Sequence, residues 1–288
     1  MSSVFLASSP ERVQDSGVPP DVDPHDEAFW RDYLTRGSSM ERRARNVFKR
    51  IPSTPRCRIC AAPFAGIGGP IMRLIGKRPS HGNPNMCGSC FSFLSSHHGG
   101  AEIEVTMLFA DIRGSTTMAE GMSAGDFHRL LDRFYTTASE VVFDHDGTVD
   151  KFVGDELVAM FFPLLSGERH AARGIEAAQA LLRATGHGDE GGPWVPIGAG
   201  VHTGISWFGA VGEGSHVELT AVGDAVNVTA RLASAAGSGE VLVSSEAASA
   251  GGLDPALVRR HLVLKGKQGS TEVVTLTVDA SPGAGRNS

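Results

Sequence analysis

Leu108-Phe-Ala-Asp-Ile-Arg-Gly-Ser-Thr116 and, further on, Asp150-Lys-Phe-Val-Gly-Asp-Glu-Leu157 decide the reading of this chain. Each places an aspartate, Asp111 or Asp155, at the edge of an apolar run dense enough for a buried strand. A carboxylate at a strand end is exposed enough to reach a cation and anchored enough to hold it. For Asp111 and Asp155 to share a metal, the two strands must lie side by side. A third stretch, Thr220-Ala-Val-Gly-Asp-Ala-Val-Asn-Val-Thr-Ala-Arg231, sets Asn227 and Arg231 at i and i+4, one face of a helix. Two acids, Lys151, an amide and a guanidinium form a set suited to phosphoryl chemistry on a nucleotide.

Around these stretches strand and helix alternate. Ile103 to Phe109 reads as a strand. Ser123 to Val142 reads as a helix, with Ser123 and Asp126 spaced as a capping pair and Phe127, Leu130, Leu131, Phe134, Ala138 and Val141 on one apolar face. Thr148 to Val153 and Leu157 to Phe162 flank Gly154-Asp155, a hairpin-turn signal. A second helix is expected from Glu168 to Ala184, and a strand pair from Ile197 to His202 and Ser206 to Val211. A strand near Val217 to Val222, a helix from Ala225 to Ala235 and strands near Val241 and Val273 follow. The order βαββαβ implies an α+β fold of ferredoxin-like, palm type: an antiparallel sheet with helices on one face.

The three quoted stretches, in motif and in order, resemble the class III nucleotide cyclase catalytic domain, the adenylyl and guanylyl cyclase family. The likeness runs from about Ile103 to Val278, and the catalytic domain is placed at residues 101–279. The resemblance implies a metal site of Asp111, the Ile112 carbonyl and Asp155, holding two Mg2+ or Mn2+ ions. Such hard cations take oxygen ligands and keep several waters. It implies that Lys151 and Thr220 read the base. An ammonium suits the N1 acceptor of adenine and a hydroxyl oxygen can accept from its N6 donor, so this pair favours ATP. Thr220 departs from the aspartate of the commoner adenylyl cyclases. Asn227 would orient the ribose, Arg231 would neutralise charge at the α-phosphate, and Lys265 would grip the terminal phosphate, with Lys267 able to share that role. In the family, each site draws on both subunits of a two-fold dimer, so a homodimer is implied. The expected activity is conversion of ATP to cyclic AMP and pyrophosphate. Val153-Gly-Asp-Glu-Leu157 also resembles the diguanylate cyclase signature, but that family lacks Lys151 and the Asn227/Arg231 helix at these places. A guanylate cyclase, or a non-catalytic nucleotide or metal sensor on the same fold, are the other readings. The acids, the amide and the guanidinium that a sensor is expected to lose are all present.

Upstream, Cys57-Arg-Ile-Cys60 and Cys87-Gly-Ser-Cys90 form two C-x2-C pairs separated by a segment rich in Gly and Pro. Paired thiolates at this spacing suit a tetrahedral Zn2+ site, and iron fits the same ligands. A redox-active pair is a third reading. The pairs define a metal-binding module at residues 53–95, in which Gly66-Ile-Gly-Gly69 reads as turn chemistry. Residues 26–52 carry Arg36, Arg42, Arg43, Arg45, Lys49 and Arg50 against few acids and read as a solvated or subunit-contacting helix broken near Gly37. Residues 1–25 and 280–288 read as disordered tails. At 288 residues with 41% hydrophobic content, the chain can bury a substantial core and a smaller module. A net charge of −6 argues against bulk nucleic-acid binding. No run approaches the ~18 apolar residues of a membrane helix. Two cysteine pairs without a secretory signal point to reduced thiols and a cytoplasmic location.

Overall fold

The computed structural model describes residues 24–37, 39–53, 55–80, 86–96, 99–211, 218–263 and 270–278. The expected tails lie outside these residues, except for Pro24 and His25, which begin the first helix. Four helices precede the sheet: α1 (Pro24–Thr35), α2 (Ser39–Lys49), α3 (Gly68–Leu74) and α4 (Gly88–Ser96). Then come β1 (Gly99–Ile112), α5 (Ser115–Gly121), α6 (Ala124–Asp144), β2 (Thr148–Val153), β3 (Glu156–Phe161), α7 (Pro163–Ser166) and α8 (His170–Ala184). The chain continues through β4 (Ile197–Val211), β5 (Glu218–Val222), α9 (Asp224–Ala235), β6 (Val241–Ser244), α10 (Ser245–Ala250), β7 (Arg259–Leu262) and β8 (Thr271–Leu276).

Among the described residues the strands form one sheet in the order β2-β3-β1-β4-β6-β8-β7, with β5 added to β4. β1 lies at its centre, antiparallel to both β3 and β4. Its side chains from Val105 to Ala110 are all buried, which explains a continuous apolar run rather than an alternating one. The α+β class stands, with a mixed sheet: β4 and β6 run parallel.

Two local expectations differ from the structure. β4 is one unbroken strand rather than a hairpin. Gly204 is a ladder residue opposite Val105, and a Cβ there would come within 3.1 Å of Ala225 Cβ. That glycine serves a close approach by α9, not a turn. The helix expected from Glu168 begins two residues later, as α8 from His170, because a 3-10 turn at Gly167–Arg169 precedes it, and Gly167 at φ +66° separates that turn from the short α7. The α6 cap is as expected: Ser123 Oγ accepts from the Asp126 N–H at 3.1 Å.

Both faces of the sheet are covered. On one, Leu108, Ala110 and Phe161 pack against Phe134 of α6 and Leu181 of α8. On the other, Met107, Phe109, Met160 and Phe208 meet Trp30 and Leu34 of α1, Cys57, Phe64 and Met86 of the cysteine segment, and Ala225 and Ala233 of α9. Since β1 is apolar on both sides, its second face needs a cover, and the N-terminal region supplies it. The Arg45 guanidinium of α2 is accordingly buried rather than solvated. It donates to the carbonyls of Ile59, Arg58 and Gly147, which satisfies a charge that would otherwise be costly to bury. Lys49 pairs with Asp146 at 2.7 Å. The glycines at 68 and 69 start α3 and are not simply a turn.

Candidate active site

β1 ends at Asp111 and Ile112, and Asp111 stands opposite Glu156 of β3 in the ladder. Asp155 occupies the turn between β2 and β3, where Val153 pairs with Glu156. Gly154 beside it has φ +61°, a conformation most side chains resist. The Tyr135 hydroxyl donates to the Gly154 carbonyl, and the Tyr135 ring stacks on Phe152 with centroids 3.9 Å apart. The turn is therefore held, and the two aspartates meet at one end of the central strands.

Their charges interact directly. Burial raises the Asp111 carboxyl to about 6; Arg113 opposes the rise and Asp155 adds to it. Glu156 is raised as well, by burial first and then by Asp111 and Asp155. Three acids thus share a strand end with one guanidinium, an arrangement that favours a cation. Arg113 Nη2 lies 3.1 Å from Asp111 Oδ2 and 2.8 Å from the Ala233 carbonyl, tying the acid pair to the end of α9. Ile112 buries its side chain, so only its backbone is offered to a ligand.

A stability test follows. The folded pKa of Asp111 lies above its ordinary value of 3.8. Stability linked to this proton is complete below the ordinary value and lost as pH rises through about 6. Without added Mg2+ or Mn2+, Asp111→Asn should therefore melt a few degrees above the native chain near neutral pH. The difference should close as pH falls toward the ordinary carboxylate range. Equal melting curves for the two proteins at every pH would refute the strained pair.

Lys151 on β2 and Thr220 on β5 converge on one carboxylate. Thr220 Oγ1 donates to Asp150 Oδ2 at 2.9 Å, and Lys151 Nζ lies 3.6 Å from the same oxygen. On α9, Asn227 is exposed and Arg231 half-buried. This helix lies close against β4 because Gly200 has no side chain; a Cβ there would sit 2.4 Å from the Ala233 nitrogen. Among the described residues, neither Asn227 nor Arg231 forms an ion pair or hydrogen bond with Asp111 or Asp155. Lys265 and Lys267 lie outside the described residues. Sequence reasoning passed over Arg113 and Asp150, although both stand within the deciding stretches. Tyr135 carried no signal beyond helix periodicity.

The four cysteines form a second site. All are free, and their sulfurs lie within 4.8 Å of one another. Cys60 and Cys87 sulfurs are 3.8 Å apart. Four sulfurs bound tetrahedrally at ~2.3 Å would be about 3.8 Å from each other, so the set fits Zn2+ or a comparable ion. The Cys87 N–H donates to Cys57 Sγ at 3.2 Å. The hydrogen bond from Cys60 is the main cause lowering the Cys57 thiol to about 7. Lys77 Nζ stands 3.9 Å from Cys60 Sγ; burial works against its charge, but the cysteines outweigh this and raise its pKa. Lys77 and the buried Arg45 supply positive charge beside the four cysteines.

Fold and site together define a nucleotide cyclase domain. The family model described as adenylate and guanylate cyclase catalytic domain matches residues 100–276, and the chain belongs to that family. Among its relatives, adenylate cyclase 1 of Rhizobium meliloti is 37% identical over 151 residues, covering 48% of this chain and 22% of that protein. The adenylate cyclase of Anabaena cylindrica is 35% identical over 134 residues, covering 44% of this chain and 26% of that protein. The chain thus spans about a quarter of the length of these curated relatives. Among solved structures, the guanylyl cyclase Cya2 superposes with a TM-score of 0.57 at 25% identity, covering 62% of this chain and 93% of that one. The adenylyl cyclase CyaB from P. aeruginosa gives 0.55 at 25% identity, covering 64% and 99%.

Proposed function

We propose that the chain is an adenylate cyclase that converts ATP to 3′,5′-cyclic AMP and pyrophosphate, acting as a homodimer in the cytoplasm in intracellular signalling. The observation that carries this reading is the meeting of the Asp111 and Asp155 carboxylates at the end of the central strands. Asp111, the Ile112 carbonyl and Asp155 would hold two Mg2+ or Mn2+ ions. When bound, such ions activate the ribose 3′-hydroxyl and neutralise the triphosphate.

The 3′-oxygen attacks the α-phosphorus as the bond to the β-phosphate oxygen breaks and pyrophosphate departs. Lys151 donates to adenine N1, and Thr220 accepts from the N6 amino group. Asn227 orients the ribose. Arg231 places its planar fork on the α-phosphate, where charge accumulates in the transition state. Lys265 holds the terminal phosphate. These roles rest on the family pattern. The shared site rests on the same pattern, in which the metal acids of one subunit work with the amide and guanidinium of the other. Two copies would complete two equivalent sites. The cysteine module, residues 53–95, would hold one Zn2+ in a structural or regulatory role, since four protein ligands leave no open position. The catalytic domain would span 101–279. No helix among the described residues is long and apolar enough to cross a membrane.

Incubation of the purified protein with each of the four nucleoside triphosphates and Mg2+ or Mn2+, followed by product identification, tests the assignment. Cyclic AMP from ATP is the expected main product. A clear preference for GTP would overturn the base assignment, and a cyclic dinucleotide would overturn the reaction.

A further inference from the structure

Between Cys57 and Cys60 stands Arg58, whose guanidinium is buried. It leaves the cysteine segment and reaches two strands of the catalytic domain. Its Nη1 donates to the Asp150 carbonyl at 2.9 Å and its Nη2 to the Leu219 carbonyl at 2.8 Å. Nη2 also lies 3.9 Å from Asp150 Oδ1. Asp150 directly precedes Lys151 on β2, and Leu219 directly precedes Thr220 on β5. These strands are not neighbours in the sheet: β2 pairs with β3 and β5 with β4. One guanidinium thus clamps two strands that do not pair with each other, beside the two residues assigned to base reading. The Arg58 backbone is itself secured, because its carbonyl accepts from Thr148 Oγ1 at 3.2 Å and from Arg45 Nη1 at 3.4 Å.

Asp150 then settles which way Thr220 can act. A threonine hydroxyl has one hydrogen to give, and an ionised carboxylate can only accept. The 2.9 Å contact between them therefore commits the Thr220 hydrogen to Asp150 Oδ2. What Thr220 still offers a ligand is lone pairs. That suits the exocyclic amino group of adenine and opposes the O6 acceptor of guanine. The same carboxylate oxygen, 3.6 Å from Lys151 Nζ, keeps the ammonium beside the hydroxyl.

We propose that Asp150 and Arg58 are positioning residues for purine selectivity: Asp150 fixes Thr220 as an acceptor next to Lys151, and Arg58 carries that arrangement on the cysteine knuckle. The inference rests on the assignment of Lys151 and Thr220 to the base. It adds that the segment between the first two cysteines helps determine which nucleotide is taken.

The test is the affinity ratio for adenosine and guanosine α,β-methylene triphosphates, which cannot cyclise. Displacement of a fluorescent nucleotide measures it on the full chain, with kcat and KM for ATP followed in parallel. Thr220→Val sets the scale of losing the acceptor. Asp150→Asn keeps the shape but brings an amide that can donate, which frees the Thr220 hydrogen to turn outward. Its adenine preference should fall by about tenfold, the effect of one misplaced hydrogen bond. Arg58→Ala should lower the same ratio, and Arg58→Lys should not restore it, because a single ammonium cannot span two carbonyls. For all four variants KM should rise more than kcat falls.

An unchanged ratio in folded Asp150→Asn or Arg58→Lys, against a native chain that prefers adenine, would overturn this proposal alone. Either variant suffices if the other does not fold. A native chain that binds both purines equally would overturn the base-reading role of Lys151 and Thr220, and this proposal with it.

Discussion

Asp111→Ala or Asp155→Ala is expected to reduce cyclic-nucleotide formation by about a thousandfold or more while leaving the fold intact. Both carboxylates stand at a strand end and turn, where their charges disfavour each other until a cation arrives. Removing one takes away half of the protein's carboxylate ligands and all of the convergence. The loss should fall on kcat, with circular dichroism and melting unchanged or slightly improved. Full activity in either variant would remove the metal assignment. An inactive Asp111→Ala chain mixed with an inactive Arg231→Ala chain should regain activity through one repaired site per heterodimer. Failure of rescue, with subunit exchange demonstrated independently, would mean that each chain builds its site alone.

Loss of the cysteine site should have the larger effect on stability. Cys57 and Cys87 are fully buried and belong to the apolar cluster that contains Met107, Phe109 and Phe208 of the sheet. A structural Zn2+ contributes on the order of 10 kcal/mol to folding of small metal domains, as much as the net stability of many whole domains. Cys87→Ala, or strong chelation, is therefore expected to collapse the segment around it and expose the sheet face that this segment covers. The native protein, purified without chelator under reducing conditions, should contain one metal per chain by elemental analysis. The variant should contain none, bind a hydrophobic dye and melt broadly. A metal-free native protein with a sharp transition would dispose of the site.

Much of the chemistry was legible because it is local. An apolar run that stops at Asp111, a Gly-Asp turn before Glu156, and Asn227 four residues before Arg231 each announce an element and a position on it. Cysteine pairs at ligand spacing likewise predict a cluster, and the sulfurs do come together. Periodicity was weaker where one residue type serves two ends. Gly204 falls in the gap between the two expected strands Ile197–His202 and Ser206–Val211 but lets α9 approach an unbroken β4, and the β4–β6 contact is parallel although a simple palm pattern suggests antiparallel strands.

What only the tertiary structure decided is where the N-terminal region goes. The sequence by itself determined a nucleotide cyclase domain with Asp111 and Asp155 at its strand ends and two cysteine pairs ahead of it, and it pointed to Lys151 and Thr220 as the pair expected to read the base. It left open that the cysteine module packs on the second face of the sheet, sharing its core rather than folding apart. It also left open that Arg45 and Arg58 are buried. In a sequence, a guanidinium with a distant acceptor reads the same as one bathed in water. Arg58 meets partners 92 and 161 residues away, and no local period or motif encodes that separation. Burial of such a charge is tolerable only once the folded chain has delivered carbonyls to it, so its role is set by packing and not by spacing.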